Sequence, residues 1–107
     1  MITELQTRYD SRQSFYGKAL TETYDKEDTL HIDLLSYGTL VANYVKYRKD
    51  NKEIFEHFGT FSQTTTRHQK EFYKQLGLND KEIKELIKNG RLEKWKTIIK
   101  LYNYMKK

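Results

Sequence analysis

The chain has 107 residues, of which 36% are hydrophobic and 33% charged, and it contains neither proline nor cysteine. A chain of this length is expected to form one domain around a single modest core. The lack of cysteine excludes disulfides, thiol nucleophiles, iron–sulfur clusters and most structural zinc sites. No apolar run approaches the roughly 18 residues of a membrane span, and the first residues lack the pattern of a signal peptide. We therefore expect a soluble, cytoplasmic protein that does not enter a membrane.

Charge is divided unevenly along the chain. Residues 1–61 contain 8 Lys and Arg against 10 Asp and Glu, whereas residues 62–107 contain 12 against 5. The net charge of +5 therefore comes from the C-terminal part. This asymmetry indicates an anionic partner, either nucleic acid or an acidic protein surface. The alternative is that these helices are simply rich in lysine, which favours both helix and solvent.

The first part of the chain carries the patterns of β-strands, after an N-terminal stretch that fits either a strand or a short helix. Residues 15–24 are rich in threonine and aromatic side chains, residues 29–37 alternate apolar with polar side chains, and residues 39–47 are β-branched and aromatic. Gly38 and the two residues before it are expected to form a bulge or a tight turn. Consecutive strands joined by short turns pair antiparallel by default, which predicts an antiparallel sheet.

The hydrophobic period changes to that of helices after Phe61. Thr64 or Thr65 is expected to cap a helix that ends at about Leu76. Asn79, with a glutamate three residues later, has the spacing of a capping box. This spacing predicts a second helix that ends at a glycine, Gly90.

The last segment, residues 91–107, repeats apolar side chains at helical spacing and predicts a third helix. Trp95 is expected to pack this helix on the core. Together the patterns predict one α+β domain over residues 1–107. Its antiparallel sheet of three to four strands, over about residues 13–61, is followed by two to three helices over about residues 64–107.

Residue types that support catalysis are sparse. The five glycines lie about twenty residues apart, which excludes phosphate-binding loops. The three histidines share no metal-ligand spacing, and Ser36 and Ser62 lie in no nucleophile elbow. Glu82 and Lys84 have the form of half a nuclease motif, but on a helix this spacing is typical of ordinary side-chain pairs. We therefore predict no enzymatic activity, no cofactor and no metal.

Three tyrosines of the predicted sheet are candidates for contact with a partner. Tyr37, Tyr44 and Tyr47 interleave with lysine and arginine side chains. Aromatic rings stack on unpaired bases while neighbouring cations hold phosphates, so this pattern suits binding of single-stranded DNA or RNA. Tyrosine is also a good strand former and a favoured residue of protein interfaces. The sequence leaves these alternatives open.

Two groups of cations on the predicted helices are further candidates. Arg67, Lys70 and Lys74 recur at helical spacing and form a basic stripe that either follows a phosphate backbone or is solvated. The predicted last helix holds the most concentrated positive charge of the chain, with the candidate residues Arg91, Lys94, Lys96 and Lys100. A basic amphipathic helix can also lie on an acidic membrane.

Three blocks of the sequence go beyond generic patterning. They read RQSFYGKA at residues 12–19, LSYGTLVA at residues 35–42 and FSQTTTRHQKEF at residues 61–72. In this order they resemble a family of small proteins of unknown function encoded by phages, plasmids and integrated elements of Gram-positive bacteria. The resemblance covers about residues 12–77 and supplies no catalytic residues.

The third block places Arg67 and His68 in the first turn of a predicted helix, where the helix dipole opposes a cation. We expect a carboxylate nearby, either internal, such as Asp33, or from a ligand. Hydrogen bonds that tie the helix to the sheet are the alternative.

Since small accessory proteins of mobile elements commonly block host defences, the resemblance implies an inhibitor that docks on a host nuclease or nucleoprotein, of the anti-CRISPR type. A nucleic-acid-binding protein of replication or transfer is the alternative hypothesis, and a small nuclease is the third.

Overall fold

Six strands and two helices form the part of the chain that the computed structural model describes, residues 1–59 and 62–95. The strands are β1 (Ile2–Glu4), β2 (Ala19–Asp25), β3 (Thr29–Ser36), β4 (Thr39–Tyr47), β5 (Lys52–His57) and β6 (Arg91–Trp95). The helices, α1 (Gln63–Gln75) and α2 (Asp80–Asn89), lie between β5 and β6 in sequence. The strands form one antiparallel sheet in the order β1-β2-β3-β4-β5-β6. α1 contacts β3 and β4, and α2 contacts β5 and β6, so both helices cover the same face.

The prediction of a sheet of three to four strands, over about residues 13–61, is therefore wrong. The sheet has six strands, because the ambiguous N-terminal stretch contributes β1 and the segment predicted to open the third helix contributes β6. Gly90 adopts a left-handed conformation with φ 78° and ends α2, and the chain then pairs with the free edge of β5. His57 N donates to Gly90 O at 3.0 Å, and Phe55 lies opposite Leu92. The rest of the predicted third helix, residues 96–107 with Lys96 and Lys100, lies outside the described residues.

A two-residue turn at Tyr37 and Gly38 joins β3 to β4, which confirms the expected tight turn. Both residues have positive φ, 51° and 79°, as in the type I′ turns that connect hairpin strands. Glycine adopts this conformation freely, whereas a bulky side chain is strained there by roughly 1–2 kcal/mol. A β-bulge follows in the same hairpin: Leu35 lies opposite Leu40 and Leu34 opposite Ala42, so β4 has one extra residue.

The same arrangement recurs at Tyr16 and Gly17, just before β2. Their φ values are 53° and 72°, and Lys18 N donates to Phe15 O at 3.0 Å across the turn. The hydroxyl of Ser14 accepts from Tyr16 N at 2.8 Å. Asparagine, aspartate or glycine usually occupies the first position of such a turn. Two tyrosines of this chain are thus held in a conformation that their side chains disfavour.

The core lies between the helices and the covered face of the sheet. Apolar burial is the main force that holds the two layers together, at roughly 25 cal/mol per Å² of apolar surface removed from water. The sheet and the helices contribute the buried side chains Ala19, Leu34, Ala42, Phe55, Phe72, Tyr73, Ile83 and Leu86.

The first turn of each helix is capped by a polar side chain. Ser62 caps α1, since its hydroxyl accepts from Thr65 N at 3.2 Å. The expectation of Thr64 or Thr65 as the cap was wrong, because the helix begins at Gln63 and both threonines lie inside it. Asn79 caps α2 through the predicted capping box: its side chain accepts from Glu82 N at 2.8 Å, and its own N donates to the Glu82 carboxylate at 3.0 Å.

Candidate functional site

A buried polar cluster joins α1 to the end of β3. Ser36 Oγ lies 2.8 Å from His68 Nδ1 and 3.0 Å from Thr65 Oγ1. The ring of Phe15 packs on the His68 ring with a centroid distance of 4.4 Å. A hydrogen-bonded serine and histidine can act as nucleophile and base, but Ser36 is only 2% exposed and His68 is fully buried. The serine oxygen is therefore buried, and the hydrogen bonds of the cluster link α1 to the end of β3.

The environment of His68 favours its neutral form. Burial lowers the pKa of His68, and the negative charge of Asp10 raises it by less, so that the pKa stays below its usual value. His57 behaves in the same way: burial lowers its pKa and outweighs a hydrogen bond to the Gly59 backbone. Its Nδ1 lies 2.8 Å from the hydroxyl of Tyr73 on α1. Both histidines therefore serve as neutral hydrogen-bonding links between sheet and helix.

Glu71 holds the N-terminal segment against α1. Its Oε1 accepts hydrogen bonds from three successive backbone amides, those of Arg8, Tyr9 and Asp10, at 3.0, 2.9 and 2.8 Å. Its Oε2 accepts from Gln75 Nε2 at 2.8 Å. Burial raises the pKa of Glu71, but the hydrogen bonds from Gln75 and the amides outweigh it and leave the pKa lowered. The carboxylate therefore fills a nest of amides that resembles an anion site.

The carboxylate expected beside Arg67 comes from this N-terminal segment. Arg67 Nη1 lies 3.1 Å from Asp10 Oδ1, so the partner is internal. The specific suggestion of Asp33 was wrong: its carboxylate accepts from Asn43 Nδ2 at 2.6 Å on the opposite face of the sheet. Asp10 reaches Arg67 because Glu71, one helical turn further along α1, binds the amide of Asp10.

The solvent-facing sides of α1 and α2 form a groove of about 530 Å³ lined by lysines. Lys70 and Lys74 contribute from α1, and Lys84 and Lys88 from α2, each pair one helical turn apart. The groove also contains the apolar side chains Ile83 and Ile87 and one acid, Asp80, whose carboxylate lies 3.8 Å from Lys74 Nζ. Within residues 1–59 and 62–95, Lys70, Lys84 and Lys88 have no ion-pair partner. We call this feature, with its four lysines, the lysine groove.

Two of the three cations in the stripe predicted on α1, Lys70 and Lys74, form one wall of the lysine groove. Arg67, Lys70 and Lys74 line a second groove of about 290 Å³ on their other side, next to Tyr9 and Asp10. The structure therefore brings these three cations together on a ridge between two grooves. The lysines of α2, Lys84 and Lys88, were not among the candidate residues. Their spacing of four residues, on a helix with a clear capping box, predicts that they lie on one face of that helix.

The three candidate tyrosines do not form a common surface. Tyr37 is 58% exposed at the turn between β3 and β4. Tyr44 is buried beneath the helices, where its hydroxyl donates to the carboxylate of Glu53, and burial is the main cause that raises its pKa. Tyr47, three residues along the same strand, lies on the opposite face with its ring 5.7 Å from Lys52 Nζ. Alternation along β4 separates them, so an interleaved aromatic surface does not form.

Arg91 and Lys94, the two candidate cations that lie in β6, are also separated by strand alternation. Lys94 Nζ lies 2.7 Å from the Glu82 carboxylate on the covered face of the sheet. Arg91 lies on the open face, 3.6 Å from Glu93. Trp95 is 52% exposed, so it is not the predicted core anchor. These residues form no basic helical stripe.

Glu71 was missed because its partners are backbone amides about 60 residues earlier in the chain, which leave no mark on the sequence.

No group of three or more His, Asp or Glu residues that could hold a metal ion occurs in the described part of the chain. None of its helices is both long and apolar enough to cross a membrane.

Comparison with known proteins gives a family but no function. No curated protein and no solved structure matches the chain. The model of a family of unknown function, DUF8033, matches residues 3–89, from within β1 to the end of α2. The matched range includes both Tyr-Gly turns, the buried Ser36–His68 pair and the lysine groove. An origin in mobile elements and an inhibitory role stay predictions. The chain belongs to DUF8033, a family of unknown function.

Proposed function

We propose that this chain is a non-catalytic binding protein whose lysine groove contacts the phosphate backbone of nucleic acid. One observation carries the proposal: four lysines from two helices line a single groove, and three of them have no ion-pair partner among the described residues. A row of cations that is not neutralised internally attracts a polyanion and releases its counterions. Arg67, the next cation along α1, is paired with Asp10 and is not counted in this row.

The chemistry of the groove favours contact with phosphates over reading of base sequence. Lysine ammonium groups act as point charges, whereas base recognition commonly uses the planar fork of arginine or the amides of asparagine and glutamine. The lining contains none of these side chains. We therefore expect binding in this groove to depend strongly on salt and weakly on sequence.

A second candidate, the inhibitor of a host nuclease, is favoured by an apolar side chain that lies between the lysines. Ile87, which is only partly buried, lines the lysine groove, and a protein partner can bury this side chain inside a rim of charge. In this case the groove would contact an acidic surface or the guide RNA of a cytoplasmic nucleoprotein. Co-purification with host nucleases tests this candidate, which fails if no complex is retained and cleavage continues in the presence of the protein.

Fluorescence anisotropy with labelled single-stranded and duplex oligonucleotides tests the nucleic-acid proposal. If the four lysines each contact one phosphate, the logarithm of the association constant for duplex DNA should fall with the logarithm of salt concentration with a slope of about −3.6. Between about 50 and about 200 mM salt, this slope corresponds to a loss of affinity of about 150-fold. No binding at the lower salt concentration would refute the proposal.

A pair of charge-matched variants separates specific contact from general attraction. The triple substitution of Lys70, Lys84 and Lys88 by glutamine should reduce the magnitude of the slope by about 2.7. The loss of affinity between the same two salt concentrations should then be about fourfold or less. The control replaces three exposed lysines that do not line the groove, Lys26, Lys46 and Lys49. It changes net charge equally and should leave the slope nearly unchanged. Equal losses in the two variants would show that the groove is not the binding surface.

A further inference from the structure

Two exposed tyrosines lie at neighbouring turn tips of the sheet. Tyr16 is 74% exposed and Tyr37 is 58% exposed. The turns that carry them are adjacent, because Tyr37 N donates to Lys18 O at 2.9 Å and Ala19 pairs with Ser36 across β2 and β3. The two rings therefore project from the same end of the molecule. We call them the tyrosine pair.

Both members of the tyrosine pair occupy strained backbone positions. Each precedes a glycine and each has a positive φ, 53° for Tyr16 and 51° for Tyr37. Asparagine or glycine would form the same turns without this strain. Residues held in sparsely populated conformations cluster at functional sites. Tyrosine stands in place of the usual turn residues at two neighbouring turns. This repetition indicates that the aromatic rings themselves have a function.

The tyrosine pair lies close to the cations of α1. The ring of Tyr37 packs beside His68, with a centroid distance of 5.8 Å, and Arg67 is the residue before His68. Arg67 is paired with Asp10, so the first cation of the ridge without an ion-pair partner in the part of the chain that the structure describes is Lys70, about one helical turn further along α1, which lines the lysine groove. Lys18, exposed at the first turn, has no ion-pair partner within the described ranges. The tyrosine pair thus lies at the N-terminal end of the ridge that leads to the lysine groove.

We propose that the tyrosine pair stacks on unpaired bases, so that the nucleic acid held by the lysine groove is single-stranded. Every base presents a π-face, and stacking on aromatic side chains beside a cationic track is the usual way in which single strands are bound without sequence preference. The tyrosine pair exposes two rings on narrow turns, whereas a stable protein interface needs roughly 800 Å² on each partner. Because this inference rests on the proposed function, its test must separate the two.

The test compares two single-stranded probes with the same number of phosphates. One is an oligothymidine of about 15 nucleotides, and the other is an abasic oligonucleotide of equal length. Contacts to phosphates act on both probes, whereas stacking acts on the first alone. We expect oligothymidine to bind about tenfold more tightly for each base that stacks, and therefore about 100-fold more tightly in all.

Variants of the tyrosine pair assign this preference to its rings. Tyr16→Gly with Tyr37→Gly should abolish the preference for bases while keeping the affinity for the abasic probe. Glycine suits the positive φ of both positions, so a thermal melt that is not lowered confirms that the fold is kept. Tyr16→Phe with Tyr37→Phe retains the rings and should retain the preference. Tyr24→Ala removes an exposed tyrosine from the open face of the sheet and serves as the matched control.

The outcomes distinguish the two proposals. Equal affinity for both probes, or a preference that survives the glycine variant, would overturn the role of the tyrosine pair while leaving the lysine groove as a binding surface. The rings would then be assigned to a protein partner. Failure of both probes to bind at low salt would overturn the proposed function and this inference together.

Discussion

The hydrogen bonds of Glu71 make a quantitative prediction about stability. Three backbone amides, those of Arg8, Tyr9 and Asp10, donate to one buried carboxylate oxygen. A hydrogen bond to a charged group contributes roughly 1.5–3 kcal/mol. The loss of three such bonds therefore sets an upper limit for the decrease in the free energy of unfolding that is well above the usual effect of a single substitution. Arg8 and Tyr9 are otherwise exposed, and water can replace part of the loss. We therefore expect Glu71→Ala to lower the free energy of unfolding by about 3 kcal/mol.

Urea unfolding followed by circular dichroism measures this change directly. In a thermal melt, about 3 kcal/mol in a domain of this size corresponds to a decrease in Tm of about 15 °C. Glu71→Gln keeps one acceptor oxygen but removes the charge, and should lie between the wild type and Glu71→Ala. Glu85→Ala is the control, because Glu85 is exposed on α2 and surface substitutions usually change stability by less than about 0.5 kcal/mol. A loss below about 1 kcal/mol for Glu71→Ala would refute the reasoning.

The lowered pKa of Glu71 adds a dependence on pH. A carboxyl group whose pKa is lower in the folded than in the unfolded chain stabilises the fold above its ordinary value of 4.5. This contribution is lost as the pH falls through the lowered pKa. The acid limb of the stability curve should therefore be steeper for the wild type than for Glu71→Gln. Parallel acid limbs would show that the carboxylate is not the group that titrates.

Three further predictions follow from the contacts between helices and sheet. His57 and His68 have lowered pKa values, so the stability that they confer is present above their ordinary pKa of 6.5 and is lost as the pH falls below it. Tm should therefore decrease from about pH 7.5 to about pH 5.5, and it should decrease less in the variant His68→Asn. An equal decrease in the wild type and the variant would contradict the role of His68. Ser36→Ala leaves the imidazole of His68 without its buried partner and should lower the free energy of unfolding by about 1–3 kcal/mol in urea, whereas a neutral effect would show that the cluster does not hold α1. Asn79→Ala removes the capping box of α2 and should lower the free energy of unfolding by about 1 kcal/mol, measured in the same way; an unchanged midpoint would contradict the capping role.

α2 shows how far local sequence can predict structure. Its cap, its apolar side chains and its terminal glycine all lie within twelve residues, from Asn79 to Gly90, and each acts on near neighbours in the chain. The turn at Tyr37 and Gly38 was predictable for the same reason. The exposed cations of α1 also followed from helical spacing alone.

β6 shows where local patterns fail. In the segment from Arg91 to Trp95, the two apolar side chains are three residues apart, a spacing that suits a helix and that places them on opposite faces of a strand. The free edge of β5 decides between these possibilities, because its unpaired backbone groups can be satisfied by a strand and not by a helix. This edge is formed by residues 52–57, which are distant in sequence.

For this protein, the sequence by itself determined the elements whose signals lie within one or two turns of the chain, the concentration of positive charge after residue 61, and the absence of cysteine chemistry. The tertiary structure decided which charges are available to a partner. Lys94 and Arg67 are neutralised by carboxylates that come from other elements, while Lys70 and Lys84 meet across a groove that forms only when α1 packs beside α2. The reason is that an ion pair or a groove depends on distances through space, and these distances are fixed only after the layers have packed.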